Sequence, residues 1–253
     1  MEEPAVYRLL LFGIFAVAAI TAVALLFVVA PYGRHLRVGW GPGLPARTGW
    51  LLMESPAVLT MGVLFLVSDR TADVVAIAFL ALWQLHYLNR TLIFPLRMRA
   101  EGKRMPVAVA LLAVVFNVWN GYLNGRWFFT LGPQRDASWI HDPRFVAGAA
   151  LFLAGMAINH HSDGILRRLR GSGESGYRIP RGGLFRFVSM PNYLGELLEW
   201  SGWAIATWSL GGLSFAVFTA ANLVPRALTN HRWYKAEFPD YPSERKAIIP
   251  FVL

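Results

Sequence analysis

Residues 5–30 read AVYRLLLFGIFAVAAITAVALLFVVA, and this stretch decides the class of the fold. It holds a single charge, Arg8, in a run longer than the roughly 20 apolar residues a helix needs to cross a bilayer. Glu2 and Glu3 precede it and its apolar core exceeds that of a signal peptide, so it reads as a retained helix. Working outward, six more apolar runs lie near 50–68, 73–94, 106–124, 145–163, 192–209 and 211–228. The spacing predicts an all-α, polytopic integral membrane protein with seven transmembrane helices, forming one domain over 1–253. Segments near 164–191 and 229–253 are too polar to be embedded and too aromatic to be idle linkers, and are expected to cap a site. At the junction of the last two runs, Leu210, Gly211 and Gly212 leave open either a tight turn or a kink in one long element.

Composition agrees, with 55% hydrophobic and 15% charged residues, a balance that excludes a disordered, collagen-like or coiled-coil chain. The net charge of +9 invites a nucleic-acid reading, but no basic block is interleaved with stacking aromatics, and the cations sit between apolar runs. They serve as topology signals. Eighteen of the 24 Lys and Arg fall in one alternating set of segments, and only Arg8, Arg70, Arg126, Arg135 and Arg144 fall in the other. The positive-inside rule then predicts the N-terminus outside, the C-terminus cytoplasmic and a site facing the cytoplasmic side. With no cysteine, the chain offers no disulfide, thiolate metal site or cysteine nucleophile. The absence of an internal repeat removes support for an inverted-repeat transporter.

An ionisable side chain inside a bilayer costs about 2.5–3.5 kcal/mol on insertion scales, so each one is a functional candidate. Under the expected topology Glu54, His86, Tyr87, Arg90, Asn159, His160, His161, Asp163, Asn192, Tyr193, Glu196, Glu199, Trp200 and Arg226 fall in the cytoplasmic half. They come from five runs, and their convergence predicts a pocket opening toward cytosol. Asn159, Asp163, Arg167 and Arg170 share one helical face, as do Glu196, Glu199, Trp200 and Trp203. Carboxylate, amide and guanidinium groups on one stripe suit a ligand with hydroxyls, an amide and phosphates, such as a nucleotide. An i,i+4 pair of Asp163 and Arg167 at a solvated helix end is the plainer account of that stripe taken alone. Tyr177, Arg178, Arg181, Arg226, Arg232, Tyr234 and Arg245 border the same mouth and favour the nucleotide.

Glu54 and Tyr87 are expected at one depth without a basic partner between them. A carboxyl in an apolar site can stay protonated and donate a hydrogen bond to a carbonyl, with a tyrosine hydroxyl as companion donor. A salt bridge from Glu54 to Arg90 or His86 that ties two helices together fits the positions equally well.

Other motifs carry less. Gly171-Ser-Gly173-Glu-Ser-Gly176 has the letters of a dinucleotide loop but neither the strand before it nor the helix after it, and reads as a turn. Adjacent His160 and His161 point about 100 degrees apart on a helix and cannot share one ion, so no metal is expected. Gly121-x-x-x-Gly125 reads as close helix packing, and Asn117, Asn120 and Asn124 as interhelical hydrogen bonding near an outer helix end, outside the site.

Several motifs in order resemble the steroid 5-alpha-reductase family, as a homologue of bacterial type. They are Asn159-His-His-Ser-Asp163-Gly-Ile-Leu-Arg-Arg-Leu-Arg170, Tyr177-Arg178-Ile-Pro-Arg-Gly182-Gly183-Leu-Phe, Asn192-Tyr-Leu-Gly195-Glu196-Leu-Leu-Glu199-Trp200, Arg226-Ala-Leu-Thr-Asn-His231-Arg-Trp-Tyr234, and Tyr241-Pro-x-x-Arg245-Lys-Ala-Ile-Ile-Pro250-Phe. Glu54-Ser-Pro56 and His86-Tyr87-x-x-Arg90-Thr91 extend the likeness over nearly the whole chain. The resemblance implies a membrane reductase that takes hydride from NADPH and saturates the 4,5 double bond of a 3-oxo-4-ene steroid. It implies that Glu54 and Tyr87 polarise the 3-oxo group. It further implies that Asn159, Asp163, Arg170, Tyr177, Arg178, Asn192, Glu196, Arg226, His231, Tyr234 and Arg245 surround the cofactor, and that Trp50, Glu196 and Trp200 line the substrate. The chain departs from the pattern at Thr229 and Asn230, where relatives tend to have a histidine run, and around Arg97 and Arg99, where the basic loop does not align cleanly. Substrate and membrane lipid are then the expected partners, with no nucleic acid and no metal. Rival readings are a reductase of another enone or enoyl lipid, a membrane methyltransferase, and an amphiphile transporter.

Overall fold

The structure, a computed structural model, describes residues 2–29, 35, 39–98, 102–169 and 176–253. The chain is mostly helical: α1 Glu3–Phe27, α2 Ala46–Leu66, α3 Val74–Leu88, α4 Phe94–Arg97, α5 Val107–Arg126, α6 Pro143–Arg168, α7 Pro191–Thr207 and α8 Leu210–Glu237. Two three-residue strands, β1 Gly43–Pro45 and β2 Arg104–Pro106, pair antiparallel, with Gly43 opposite Pro106. Glu3–Phe27, Ala46–Leu66 and Val107–Leu131 are long and apolar enough to cross a membrane. The chain folds as two compact units. The first comprises Met1–Ile14, Ala30–Val146 and Ser209–Gly212, the second Phe15–Val29, Ala147–Trp208 and Leu213–Leu253.

Within the first unit, each strand leads straight into a helix, β1 into α2 and β2 into α5. The two helices then run side by side in the same direction. Gly121 lies against Thr60, and Gly125 against Leu64 and Met61, where an added Cβ would come within 3.1 and 2.8 Å of the nearest atoms. The Gly-x-x-x-Gly pair therefore packs helices within the chain, as its sequence implies. α2 contains Pro56, which has no N–H for the Leu52 carbonyl; the Ser55 hydroxyl donates to that carbonyl instead at 3.3 Å. Asp73 caps α3 by accepting from the N–H groups of Val75 and Ala76. α3 does not stop at Leu88. It passes through a π-helical turn at Asn89–Ile93 into α4, so the run expected at 73–94 extends to Arg97. A second π-helical turn, Trp127–Leu131, carries α5 past its expected end at 124, and Arg70 ties off that end by donating to the carbonyls of Phe128 and Gly132, both at 2.7 Å.

The second unit is built on α6 and α7. Gly148 and Gly155 on α6 face Gly202 and Gly195 on α7, seven residues apart in each helix. A Cβ on Gly155 would lie 2.5 Å from the Gly195 carbonyl oxygen, and one on Gly195 would lie 2.6 Å from that of Gly155. Backbone therefore rests on backbone over two turns, the close approach that small residues permit. α7 ends in a tight turn at Trp208–Ser209, Trp208 taking a left-handed φ of 44°. The Ser209 hydroxyl accepts from Gly212 N–H at 2.9 Å, so Leu210–Gly212 form the first turn of α8 and the junction lies just before them. Beyond α8 the chain returns to pair Val188 with Lys246, bringing the segments near 164–191 and 229–253 together. A core of Met190, Ala227, Tyr234, Tyr241, Ala247 and Ile248 closes that end.

Gly155→Ala should force α6 and α7 apart and cost about 1–3 kcal/mol, an overpacking penalty read as a lowered melting temperature in detergent. Gly164→Ala on the same helix meets only the flexible guanidinium groups of Arg168 and Arg167, at 3.5 and 3.9 Å, and should leave the melting temperature level or higher. Equal losses at both positions would mean that helix crowding does not govern this pair.

Candidate functional site

The first unit buries one carboxyl among polar and aromatic groups. Glu54, on α2, is 8% exposed. The amide of Asn117, from α5, donates to Glu54 Oε2 at 3.3 Å and to the Met53 carbonyl at 2.5 Å. Arg90, inside the π-helical turn, brings its Nε to 4.0 Å from Glu54 Oε1. That guanidinium also lies over the rings of Trp50 at 4.5 Å and Phe94 at 4.9 Å. At 4 Å and an effective dielectric near 20 the charges attract by about 4 kcal/mol, offset by the several kcal/mol that each ion loses on leaving water. The pair therefore adds little net stability, yet removing one partner leaves a buried charge exposed to that full cost.

Tyr87, 3% exposed, packs against Trp83 and His86. The register of α3 on α2 comes from Trp83 Nε1 donating to the Ala57 carbonyl and Gln84 Nε2 to that of Val58, both at 3.0 Å. One turn further along, this antiparallel register brings Tyr87 level with Met53 and Glu54. Of the readings left open for Glu54, the ion pair with Arg90 is present. One expectation changes. Asn117, expected near an outer helix end and outside the site, touches the carboxyl, because α5 continues to Leu131 and Asn117 is thus mid-helix, level with Glu54.

In the second unit the glycine contact sets a polar ladder. Asn159, one turn beyond Gly155, donates to the Asn192 carbonyl at 3.0 Å and to Glu196 Oε1 at 3.2 Å. The Asn192 amide donates to Asp163 Oδ1 at 3.3 Å. Arg226 of α8 donates to the Tyr193 hydroxyl at 2.9 Å and to Asn222 Oδ1 at 3.2 Å. His231 and Tyr234 meet the C-terminal segment: Tyr234 stacks on Tyr241 at 5.3 Å, and the His231 ring lies 6.0 Å from that of Tyr241. Tyr177 stands edge-on to Trp233, and Arg178 is exposed. Trp200 is buried in an aromatic cluster with Phe215, Phe152 and Trp203. Trp50 belongs to the first unit, in contact with Phe94 and Arg90. Arg170, Arg99 and residues 171–175 lie outside the described residues; Arg97 is exposed at the end of α4 and Asn230 is buried on α8.

Arg245 tests whether this unit fits a nucleotide. It is 5% exposed, its guanidinium lies 5.2 Å from the centre of the Tyr241 ring, and its Nε and Nη1 have no hydrogen-bond partner. A buried cation with unused donors suits an anionic group such as a phosphate. The Asn192 side-chain oxygen, buried and unbonded, suits an N–H donor such as a carboxamide. Among the described residues no three His, Asp or Glu side chains gather to hold a metal ion.

Sequence reading missed Asn117, the glycine ladder and Ser189, which binds His231. Heptad-spaced glycines on consecutive apolar runs were the available signal for the ladder. No local pattern marks Ser189.

These features define a helical chain with helices long and apolar enough to cross a membrane, a buried carboxyl cluster in one unit and a polar, arginine-bearing cluster in the other. A family model described as 3-oxo-5-alpha-steroid 4-dehydrogenase matches residues 103–253. The chain is 40% identical to steroid 5-alpha-reductase DET2 of Gossypium hirsutum over 99% of each chain. It is 44% identical to 3-oxo-5-alpha-steroid 4-dehydrogenase 1 of Bos taurus over 94% of this chain and 93% of that one, and 43% identical to the protein of the same name from Homo sapiens over 87% and 85%. The chain belongs to the 3-oxo-5-alpha-steroid 4-dehydrogenase family. These plant and mammalian relatives lend no support to a bacterial type.

Arg90→Met strips Glu54 of its cation and should cost about 3 kcal/mol as a lowered melting temperature, part of which the added change Glu54→Gln restores. Strictly additive losses would show that the two side chains do not interact.

Proposed function

We propose that this chain, an oxidoreductase of the CH–CH class by its family, reduces the 4,5 double bond of 3-oxo-4-ene steroids with NADPH. The observation that carries the reading is 40–44% identity, over nearly the full chain, to relatives named steroid 5-alpha-reductase and 3-oxo-5-alpha-steroid 4-dehydrogenase. The chain crosses the bilayer seven times, with the N-terminus outside and the active site on the cytoplasmic side; the Lys and Arg distribution supports this topology.

NADPH, when bound, supplies the hydride. Arg245 and Arg226 would hold its phosphates, with Arg178 and Tyr177 bordering them; the motif likeness adds Arg170 to this set. Asn159, Asp163, Asn192 and Glu196 orient its polar end, while His231 and Tyr234 complete the enclosure; the unbonded donors of Arg245 and the unbonded oxygen of Asn192 support these roles. With substrate bound, Glu54 takes up a proton, which releases it from its ion pair with Arg90, and donates with Tyr87 to the 3-oxo oxygen, so that charge moves onto it as C5 accepts hydride. The resulting enolate is protonated at C4. Asn117 holds one oxygen of the Glu54 carboxyl and so fixes the direction of the other. Trp50, Trp200 and Glu196 line the steroid.

Purified protein given NADPH and testosterone or progesterone should yield a product two hydrogens heavier and 5-alpha in configuration, detected by mass spectrometry. Glu54→Leu, which removes the donor that a glutamine amide would keep, should lower turnover on the order of 100-fold, as for loss of one oxyanion donor, with NADPH affinity kept. Unchanged turnover would remove Glu54 from the clamp. Reduction of other conjugated enones or enoyl lipids, with steroids untouched, would overturn the substrate and leave the chemistry.

A further inference from the structure

Ser189 lies between the short helical turn Gly183–Arg186 and α7, and its side chain is fully buried. Its Oγ is 2.6 Å from His231 Nδ1, 2.6 Å from the Tyr241 hydroxyl and 3.2 Å from the Lys246 carbonyl. One hydroxyl proton cannot serve three neighbours, and that limit narrows the directions the bonds can take. The Lys246 carbonyl already accepts the Ser189 backbone N–H at 2.8 Å, so it does not need the side chain. Tyr241 brings a proton of its own. With Tyr241 donating to Ser189 Oγ, two arrangements satisfy every group: Ser189 donates to His231 Nδ1, or His231 Nδ1–H donates to Ser189 and the serine proton goes to the Lys246 carbonyl; the shorter contact, 2.6 Å against 3.2 Å, favours the first.

An imidazole that accepts at Nδ1 is neutral and carries its proton on Nε2. The surroundings favour the neutral ring over the imidazolium. Burial, then the positive charges of Lys235 on the same helix and Lys246 on the C-terminal segment, hold His231 below the usual histidine range. Arg245, packed over the Tyr241 ring, adds a further cation on that side. His231 lies past residue 228, outside the expected span.

We propose that Ser189 is a positioning residue of the cofactor site: it locks His231 as the neutral Nε2–H tautomer, so that the imidazole offers NADPH one hydrogen-bond donor of fixed direction. The inference rests on the assignment of His231 to the cofactor. Without the serine hydroxyl, His231 is free to move its proton to Nδ1 and turn a lone pair toward the ligand. Acid reverses the loss, because the imidazolium carries a proton on both nitrogens.

The test measures NADPH dissociation constants from pH 5 to pH 8 for the full-length protein in detergent. Ser189→Ala should weaken binding roughly 5-fold at pH 8, the size of one net hydrogen bond, with the defect relative to the unsubstituted protein shrinking toward pH 5, below the lowered range of His231. Ser189→Thr, which keeps a hydroxyl, should restore affinity. A defect of the same size at every pH that threonine does not rescue would make Ser189 a packing residue and overturn the inference. An unchanged affinity in Ser189→Ala, with His231→Ala clearly weakened, would overturn it too and leave the cofactor assignment standing. Full affinity in His231→Ala would instead overturn that assignment. Nitrogen-15 histidine NMR of the unsubstituted protein, with the His231 signals identified by their loss in His231→Gln, decides the tautomer even if Ser189→Ala fails to fold. Protonated Nε2 with bare Nδ1 supports the inference; a proton on Nδ1 overturns it.

Discussion

The contact of α6 with α7 through four glycines is the constraint on which the polar cluster of the second unit depends. Close approach of two helix backbones needs residues without side chains at the contact. Gly148, Gly155, Gly195 and Gly202 allow it, and the same approach fixes the next turn: Asn159 reaches the Asn192 carbonyl and Glu196, and Asn192 reaches Asp163. A wider gap would leave these groups unpaired in a low-dielectric interior, at a cost of about 1–3 kcal/mol each.

The first unit solves a different problem, which is to hold a carboxyl in an apolar layer. Here α2 and α5 leave a shared pair of strands in register, so residue 60 meets 121 and residue 54 comes level with 117. The π-helical turn after α3 then carries Arg90 to the opposite carboxyl oxygen and sets its charge between two aromatic rings. Such turns occur often at functional sites, since one extra residue per turn re-aims the side chains that follow. Pro56, Ser55 and Glu54 form one local solution: the proline frees a carbonyl, the serine takes it up, and the carboxyl sits beside them.

Much of this was legible in the residues. The long apolar runs gave the helices, the ordered motifs gave the family, and Gly121 with Gly125 gave a real helix contact. Helix ends were less legible, because a π-helical turn has no hydrophobic period of its own; the run read as ending at 124 continues to Leu131. That shortfall is why Asn117 was placed outside the site. Ser189 was illegible for another reason: its partners lie 42 and 52 residues away, and a buried serine carries no local pattern.

The sequence by itself determined the helical class, the family and the residue types that bear charge, because hydropathy and motif are properties of short stretches. Only the tertiary structure decided which groups share a proton or a charge: Asn117 and Arg90 on Glu54, Ser189 between His231 and Tyr241, and Arg245 buried with donors to spare. Hydrogen bonding and ion pairing act within about 4 Å, and that proximity is set by helix register and by the return of the C-terminal segment, not by neighbours along the chain.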